Sequence, residues 1–194
     1  LERFTIVTVA RLDNNKNPYM ILEISKKLKK MGYDFEWWIL GDGPLYNDLR
    51  YAIHKMNLVN IKLLGHIENP YPYIYAADLY VSTSKSEGFG LSIIEAGYFG
   101  LPTIMYKDLD AYEDVYFKGG FTIVENREDK NVKDAIIETF NTDWNKNFIK
   151  REVEKNKKDL KNQYIRFYND AIKECVFLDI NKIVKEVNCF ENEI

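Results

Sequence analysis

Cysteine and histidine are nearly missing from this chain, with two of each in 194 residues. Cys175 and Cys189 form no CxxC and stand near no His-rich cluster, so neither a disulfide framework nor a zinc site is indicated; a reducing cytoplasm fits best. His54 and His66 have no evident Asp/Ser or Cys partner, which argues against a hydrolytic triad. A surplus of charge is absent too. With 27 basic against 30 acidic residues the formal charge is -3, which gives no global field for nucleic acid or an anionic membrane, so any anion must be held locally. No apolar run reaches the roughly 18 residues of a membrane span, and the start lacks a basic region followed by an apolar stretch, so a soluble domain is expected. GxGxxG and GxxxxGK[ST] do not occur, leaving no support for a nicotinamide fingerprint or a P-loop.

The chain is 46% hydrophobic and 14% aromatic, ample for the core of one domain, or of one domain with an appendage. Short runs rich in β-branched and aromatic residues alternate with stretches of helical period, the rhythm of a parallel sheet covered by helices. Strands are expected at TIVTVA (residues 5–10), FEWWIL (35–40), NIKLL (60–64), DLYVST (78–83), PTIMY (102–106) and FTIV (121–124), each apolar enough to be buried on both faces. Between the first two, Ile21, Ile24, Leu28 and Met31 recur at three to four residue spacing opposite Lys26, Lys27, Lys29 and Lys30, with Gly32 as a stop. Leu45, Leu49, Ile53 and Met56 repeat that pattern. After Val124 the chain reads as helix. The expected fold is a three-layer Rossmann-like α/β domain with a parallel sheet of about six strands over residues 1–145, followed by C-terminal helices over 146–194. The chain begins at Leu1 and runs almost at once into a strand, so a fragment with a partner domain on its N-terminal side is expected.

In an open parallel sheet, ligands sit where the carboxyl ends of strands lead into helix N-termini. Four such loops are chemically loaded: ARLDNNKNP after the first strand, GDGP after the second, GHIENP after the third and SKSEGFG after the fourth. Arg11 and Lys16 read either as donors to a phosphate or as solvated loop charges. Gly41 and Gly43 permit a sharp turn and a ligand close to the backbone, or a plain strand-to-helix turn. Glu87 and Glu95, eight apart, would hardly converge on one continuous helix, being about 12 Å apart and rotated by roughly 80°. A turn at Gly88 and Gly90 lets both face a ligand above a helix N-terminus, where the N–H groups of Gly90, Leu91 and Ser92 offer an anion site. The bland reading is a dipole-stabilised Glu95 and a solvated Glu87. Tyr71, Tyr73 and Tyr75 read as split between core and surface rather than as a stacking platform. The lysine-rich stretch 146–161, interleaved with Glu152, Glu154 and Asp159, reads as a solvated helix before it reads as a lipid contact.

Taken together, VARLDNNKNP, ILGDGP, the run from IKLLGHIENP to AGYFGLPTI, and EDVYFKGGFTIVENRED resemble the donor-nucleotide half of the GT-B glycosyltransferases of the retaining family 4 type, over residues 5–140. The most specific element is the E-x7-E pattern EGFGLSIIE followed by AGYFGLP. The resemblance implies a nucleotide-sugar donor, a UDP- or GDP-sugar, and a glycan or lipid-linked acceptor held by a separate N-terminal domain. Arg11 and Lys16 would grip the donor diphosphate and stabilise the leaving charge. Glu95 would bind the ribose, and Glu87, with Gly88, Phe89, Gly90 and Leu91, would meet the donor sugar. Gly41, Gly43, His66 and Ile67 would line the nucleoside. No metal and no further cofactor is implied, and a cytoplasmic enzyme, peripheral at the inner face of the membrane, is expected. Two departures stand out. Asn17 replaces the glycine that usually follows the lysine, and the loop YKDLDAYED lacks the glycine pair before Glu113. A nucleotide-sugar 2-epimerase of the same architecture and a non-catalytic nucleotide-sugar-binding module are the alternatives.

Overall fold

The computed structural model describes residues 3–110, 120–156, 170, 171, 173–175 and 183. Six strands form one sheet: β1 (Phe4–Val9), β2 (Phe35–Leu40), β3 (Ile61–Gly65), β4 (Leu79–Val81), β5 (Thr103–Tyr106) and β6 (Phe121–Val124). Helices α1 (Tyr19–Lys30), α2 (Tyr46–Lys55), α3 (Tyr71–Ala76) and α4 (Leu91–Tyr98) connect the first five strands in turn; α5 (Asp129–Phe140) and α6 (Lys146–Asn156) follow the sheet. The spatial order is β3-β2-β1-β4-β5-β6 and every pairing is parallel. The Rossmann-like α/β expectation is borne out. Glu113, Cys189, Lys161 and most of the expected C-terminal helical stretch lie outside the described residues.

The order matters because it turns round between β1 and β4, so chain leaves the sheet in opposite directions from these neighbours and a crevice opens at their carboxyl ends. β4 is shorter than its sequence suggests, three residues rather than six. Only Ile6–Leu79 and Val7–Tyr80 are in register with β1, so Val9 extends past the end of β4 and deepens the crevice. Thr8 fastens the seam by donating to the carbonyl of Val81 (2.7 Å) while accepting from the indole N–H of Trp37 (3.0 Å). Trp37, Trp38, Ile6, Val7, Ile39 and Val81 are essentially buried, each large apolar side chain contributing about 1.5–3 kcal/mol relative to exposure.

The helices end where the chain can turn left-handed. After α1 the N–H of Tyr33 reaches the carbonyl of Leu28 (3.2 Å) around Gly32 at φ +87, and after α2 that of Leu58 reaches Ile53 (3.1 Å) around Asn57 at φ +52. These closures satisfy carbonyls that a helix end otherwise leaves bare. Beyond the sheet, α6 seals one side with Ile149 and Val153, both buried, and the Lys146 ammonium donates to the carbonyl of Ala77 (2.9 Å). Lys146 therefore packs against the domain, and burial pulls its pKa below the usual value, the charge of Asp78 opposing.

Candidate functional site

Every loop singled out in the sequence falls on the carboxyl edge of the sheet, and the structure groups them into two banks. On the β1–β2–β3 bank the loops meet backbone to backbone. Leu12 N–H donates to the Asp42 carbonyl (2.9 Å), Leu45 N–H to Leu12 (3.0 Å) and Gly41 N–H to Gly65 (2.7 Å). The close approach that glycine permits is made here by the chain itself. A Cβ on Gly41, at φ +138, would lie 1.9 Å from the Ala10 oxygen, and one on Gly43 would meet the backbone of Leu12 at 2.5 Å. Beside this contact lies a cavity of about 360 Å³ whose lining includes Arg11, Gly41, His66 and Ile67; Gly43 is not among its walls. Arg11 is 71% exposed and faces Asp13 at 3.6 Å, a pair that water screens.

On the other bank Lys16 and Glu87 come together. Nζ lies 2.7 Å from Oε2, and the two side chains are only 19% and 11% exposed, so screening is weaker than for a surface pair. The loops carrying them are stitched. Thr83 Oγ1 donates to the carbonyl of Lys16 (2.8 Å), the Asn15 side-chain amide donates to that of Ser86 (2.9 Å), and Lys85 N–H donates to that of Asn15 (2.7 Å). Asp13 accepts from the N–H groups of Asn15 (2.9 Å) and Lys16 (3.0 Å). Asn17 stands at φ +50, so the left-handed turn expected of glycine is kept by asparagine, which tolerates it better than other side chains.

Gly90, at φ +69, precedes α4, whose first turn holds no acidic residue. The amides of Leu91 and Ser92 open the helix and have no acceptor within it. Phe89 and Leu91 are 44% and 54% exposed, an apolar pair at the mouth of the crevice. Glu95 lies a turn into α4 and accepts from the Tyr71 hydroxyl (3.3 Å), which removes Tyr71 from the bland role expected for it. Tyr71 stacks on Phe99, centroids 5.6 Å apart. Burial, then the charge of Glu95 and its hydrogen bond, pushes the Tyr71 phenol up to about 12, so it stays a proton donor at any ordinary pH.

Tyr80 forms the floor. Its hydroxyl lies 2.8 Å from Ser92 Oγ and 3.2 Å from the Val9 carbonyl oxygen, spanning the β1–β4 crevice. Burial chiefly raises its pKa; the carboxylates of Glu87 and Glu95 both add to the rise, and the Ser92 hydrogen bond opposes it. The two glutamates meet different partners, Glu87 the Lys16 ammonium and Glu95 the Tyr71 hydroxyl. Sequence reasoning sets Tyr71 aside as a core or surface residue and misses Tyr80 and Arg127, because no motif marks them. It also misses a D-x-D triplet, Asp108-Leu109-Asp110, whose carboxylates could share a cation. Here Asp108 pairs with Arg127 (2.7 Å), Asp110 accepts from the Ser86 hydroxyl (2.6 Å) and Leu109 is buried. Among the described residues no group of three or more His, Cys, Asp or Glu could hold a metal ion, and no helix is long and apolar enough to cross a membrane.

A family model described as "Glycosyl transferases group 1" matches residues 1–163. Over 162 residues, 71% of the chain and 42% of the relative, it is 31% identical to an Escherichia coli UDP-Gal:alpha-D-GlcNAc-diphosphoundecaprenol alpha-1,3-galactosyltransferase. A Staphylococcus aureus poly(ribitol-phosphate) alpha-N-acetylglucosaminyltransferase is 29% identical over 70% of the chain and 28% of that relative. Among solved structures, Anabaena HepE in complex with UDP superposes with TM-score 0.64 at 20% identity, covering 90% of this chain and 48% of that one. A TarM variant of S. aureus in complex with Fondaparinux, alpha-GlcNAc-glycerol and UDP gives 0.69 at 20% identity, over 91% and 36%. The chain spans less than half the length of these curated relatives.

Proposed function

The chain belongs to the glycosyl transferases group 1 family, and on that premise we propose that it forms the donor-binding half of a retaining, metal-independent GT-B glycosyltransferase. The enzyme moves a sugar from a UDP- or GDP-sugar to a glycan or lipid-linked acceptor. Residues 1–145 bind the nucleotide sugar, and residues 146–194 pack on that domain and lead toward a partner domain that holds the acceptor. The observation that carries this reading is the half-buried Lys16–Glu87 pair set beside the first amides of α4 at the strand-order reversal. A cation and free N–H groups there face the place where a leaving diphosphate gathers charge, and one well-placed donor is worth about 2.7–4 kcal/mol of activation energy. Glu95, steered by Tyr71, takes the ribose hydroxyls, and the Arg11, His66 and Ile67 cavity takes the base. Glu87 meets the donor hexose once phosphate competes for Lys16.

The relatives support the donor class: one is named for UDP-Gal, and a superposing structure contains UDP. Acceptors on a lipid diphosphate, as in the E. coli relative's name, fit an enzyme of the cytoplasm that works at the inner face of the membrane. The test is a thermal-shift panel of UDP, GDP and their hexose esters on the full-length protein. A ligand at 100 times its Kd raises stability by about 2.7 kcal/mol, and Lys16→Ala or Glu95→Ala is expected to abolish that shift. No response to any member of the panel overturns the donor site. An altered sugar nucleotide made from donor alone, without acceptor, indicates the epimerase instead, and binding without transfer to any acceptor indicates a non-catalytic module.

A further inference from the structure

Arg127 lies just beyond β6, outside every contact invoked so far for nucleotide or sugar, yet its guanidinium makes several contacts on the bank that carries Glu87. Nη1 donates to the carbonyl of Ser84 (2.8 Å) and Nη2 to that of Lys85 (2.7 Å). The adjacent edge of the same fork, sharing Nη2, meets the Asp108 carboxylate, Nε at 2.9 Å and Nη2 at 2.7 Å. The plane also rests over the Tyr106 ring, 4.7 Å from its centroid. One side chain therefore joins the loops that follow β4, β5 and β6. Planarity and fixed donor directions let arginine do this; an ammonium has neither.

The two carbonyls it holds immediately precede Ser86 and Glu87, the turn that reaches the Lys16 ammonium. Backbone carbonyls in such a loop have no strand partner, and without a donor this turn would sample other orientations. Lys16 has a further anchor in its own loop, its N–H held by Asp13 (3.0 Å), while its carbonyl is held by Thr83 (2.8 Å) just before the turn. Fixing 84–88 thus bears directly on where the Glu87 carboxylate stands and reaches the lysine backbone only at second hand, through Asn15.

We infer that Arg127, braced by Asp108 and Tyr106, is a positioning residue that holds the 84–88 turn so that Glu87 meets the hexose of the donor. The inference rests on the donor-site reading above. It separates two ligands sharing a nucleotide: the diphosphate, gripped by Lys16 and the α4 amides, and the hexose, gripped by the turn.

The experiment uses the full-length protein and two readouts. In the absence of ligand, amide hydrogen exchange of the 82–90 segment is compared in wild type, Arg127→Ala, Arg127→Lys and Asp108→Asn. Arg127→Ala is expected to speed exchange at least tenfold there, including the Lys85 amide that rests on Asn15, with β1, β2 and α1 unchanged. Arg127→Lys restores part of the protection. Asp108→Asn, which keeps both carbonyl bonds, loses less and guards against a variant that fails to fold. In the second readout, UDP, UDP-glucose, UDP-galactose, GDP and GDP-mannose are titrated. For whichever hexose ester binds wild type more tightly than its own diphosphate, Arg127→Ala is expected to erase the difference while changing diphosphate affinity less than threefold. Unchanged exchange over 82–90 overturns the inference, as does acceleration spread evenly through the domain or an equal loss of affinity for diphosphate and hexose ester. A wild type that binds none of the five overturns the donor-site reading, and exchange alone then decides whether Arg127 holds the turn.

Discussion

The two banks of the crevice are built by different means. On the β1–β2–β3 side, loop meets loop through main-chain hydrogen bonds, as between Leu12 and Asp42 or Gly41 and Gly65. On the β4–β5–β6 side one main-chain bond, Lys85 to Asn15, is joined by a larger set made through side chains: Lys16 with Glu87, Ser86 with Asp110, Arg127 with Ser84, Lys85 and Asp108. A bank made of backbone tolerates a change in most side chains but tolerates no extra atom where two chains touch. A bank made of side chains can be altered one residue at a time. That division suits a donor site in which the nucleoside is constant across a reaction class and the sugar is what varies.

The largest expected effect comes from adding one carbon to the backbone bank. In Gly41→Ala the new Cβ would sit 1.9 Å from the Ala10 oxygen at a backbone angle that L-residues avoid, so the loops must part. A loss of about 3 kcal/mol is expected, which for a domain of this size lowers the melting temperature by roughly 6–12 °C. Gly88→Ala places its Cβ where nothing lies within 4 Å and is expected to cost no more than about 0.5 kcal/mol. Differential scanning calorimetry of the two variants checks this; similar losses in both would dissolve the contrast between the banks.

Much of this arrangement was legible beforehand and some was not. FEWWIL and FTIV match β2 and β6 residue for residue, because an apolar run of that length between turn residues has few other options. DLYVST runs past the strand at both ends, since β4 is Leu79–Val81. Ser82, Thr83 and Ser84 are buried like strand residues, but past Ser82, whose N–H still reaches the Ile104 carbonyl in β5 (2.9 Å), the bonds go to loops, Thr83 to Lys16 and its neighbour Ser84 to Arg127, and burial alone does not distinguish the two. Glu87 and Glu95 were visible because the glycine turn sits between them in sequence. Arg127 was not, since its partners lie 42 and 43 positions away and that distance is bridged only by folding. Lys16 was visible as a cation, whereas its pairing with Glu87 was not.

The loop after β1 serves both banks, and Asn17 is the residue on which its geometry turns. At φ +50 a β-branched residue would be strained by about 2 kcal/mol, so Asn17→Val is expected to lower the melting temperature by roughly 4–8 °C. It should also weaken UDP binding, because Lys16 moves with the loop. Asn17→Gly relaxes the native turn but frees the unfolded chain, two effects that nearly cancel, leaving a change within about 0.5 kcal/mol. Thermal melts with and without UDP separate the outcomes. If Val is accepted as readily as Gly, the loop is not held in the turn that asparagine supplies.

The smallest effect is the most discriminating, because Tyr71 stands after β3 yet reaches across to Glu95 on α4. Its phenol and that of Tyr106 are each pushed up to about 12, both chiefly by burial, Tyr71 further by the charge of Glu95. With the folded value above the unfolded one of 10.0, the native state holds the proton more tightly. This contribution to stability is complete below pH 10 and is lost as pH rises through about 12. Tyr71→Phe and Tyr106→Phe should each flatten the fall in stability over that window, measured by urea denaturation at intervals from pH 8 upward. At pH 8 the two part company. Removing the Tyr71 hydroxyl frees the Glu95 carboxylate from its guide and is expected to weaken UDP binding by about 0.5–1 kcal/mol, a two- to five-fold rise in Kd. Removing the Tyr106 hydroxyl, which lies 2.7 Å from the Met20 sulfur, touches neither glutamate and should leave UDP affinity alone. Equal effects on UDP would mean that Tyr71 acts through general packing, and the two banks would then meet at Glu95 by proximity rather than by a directed hydrogen bond.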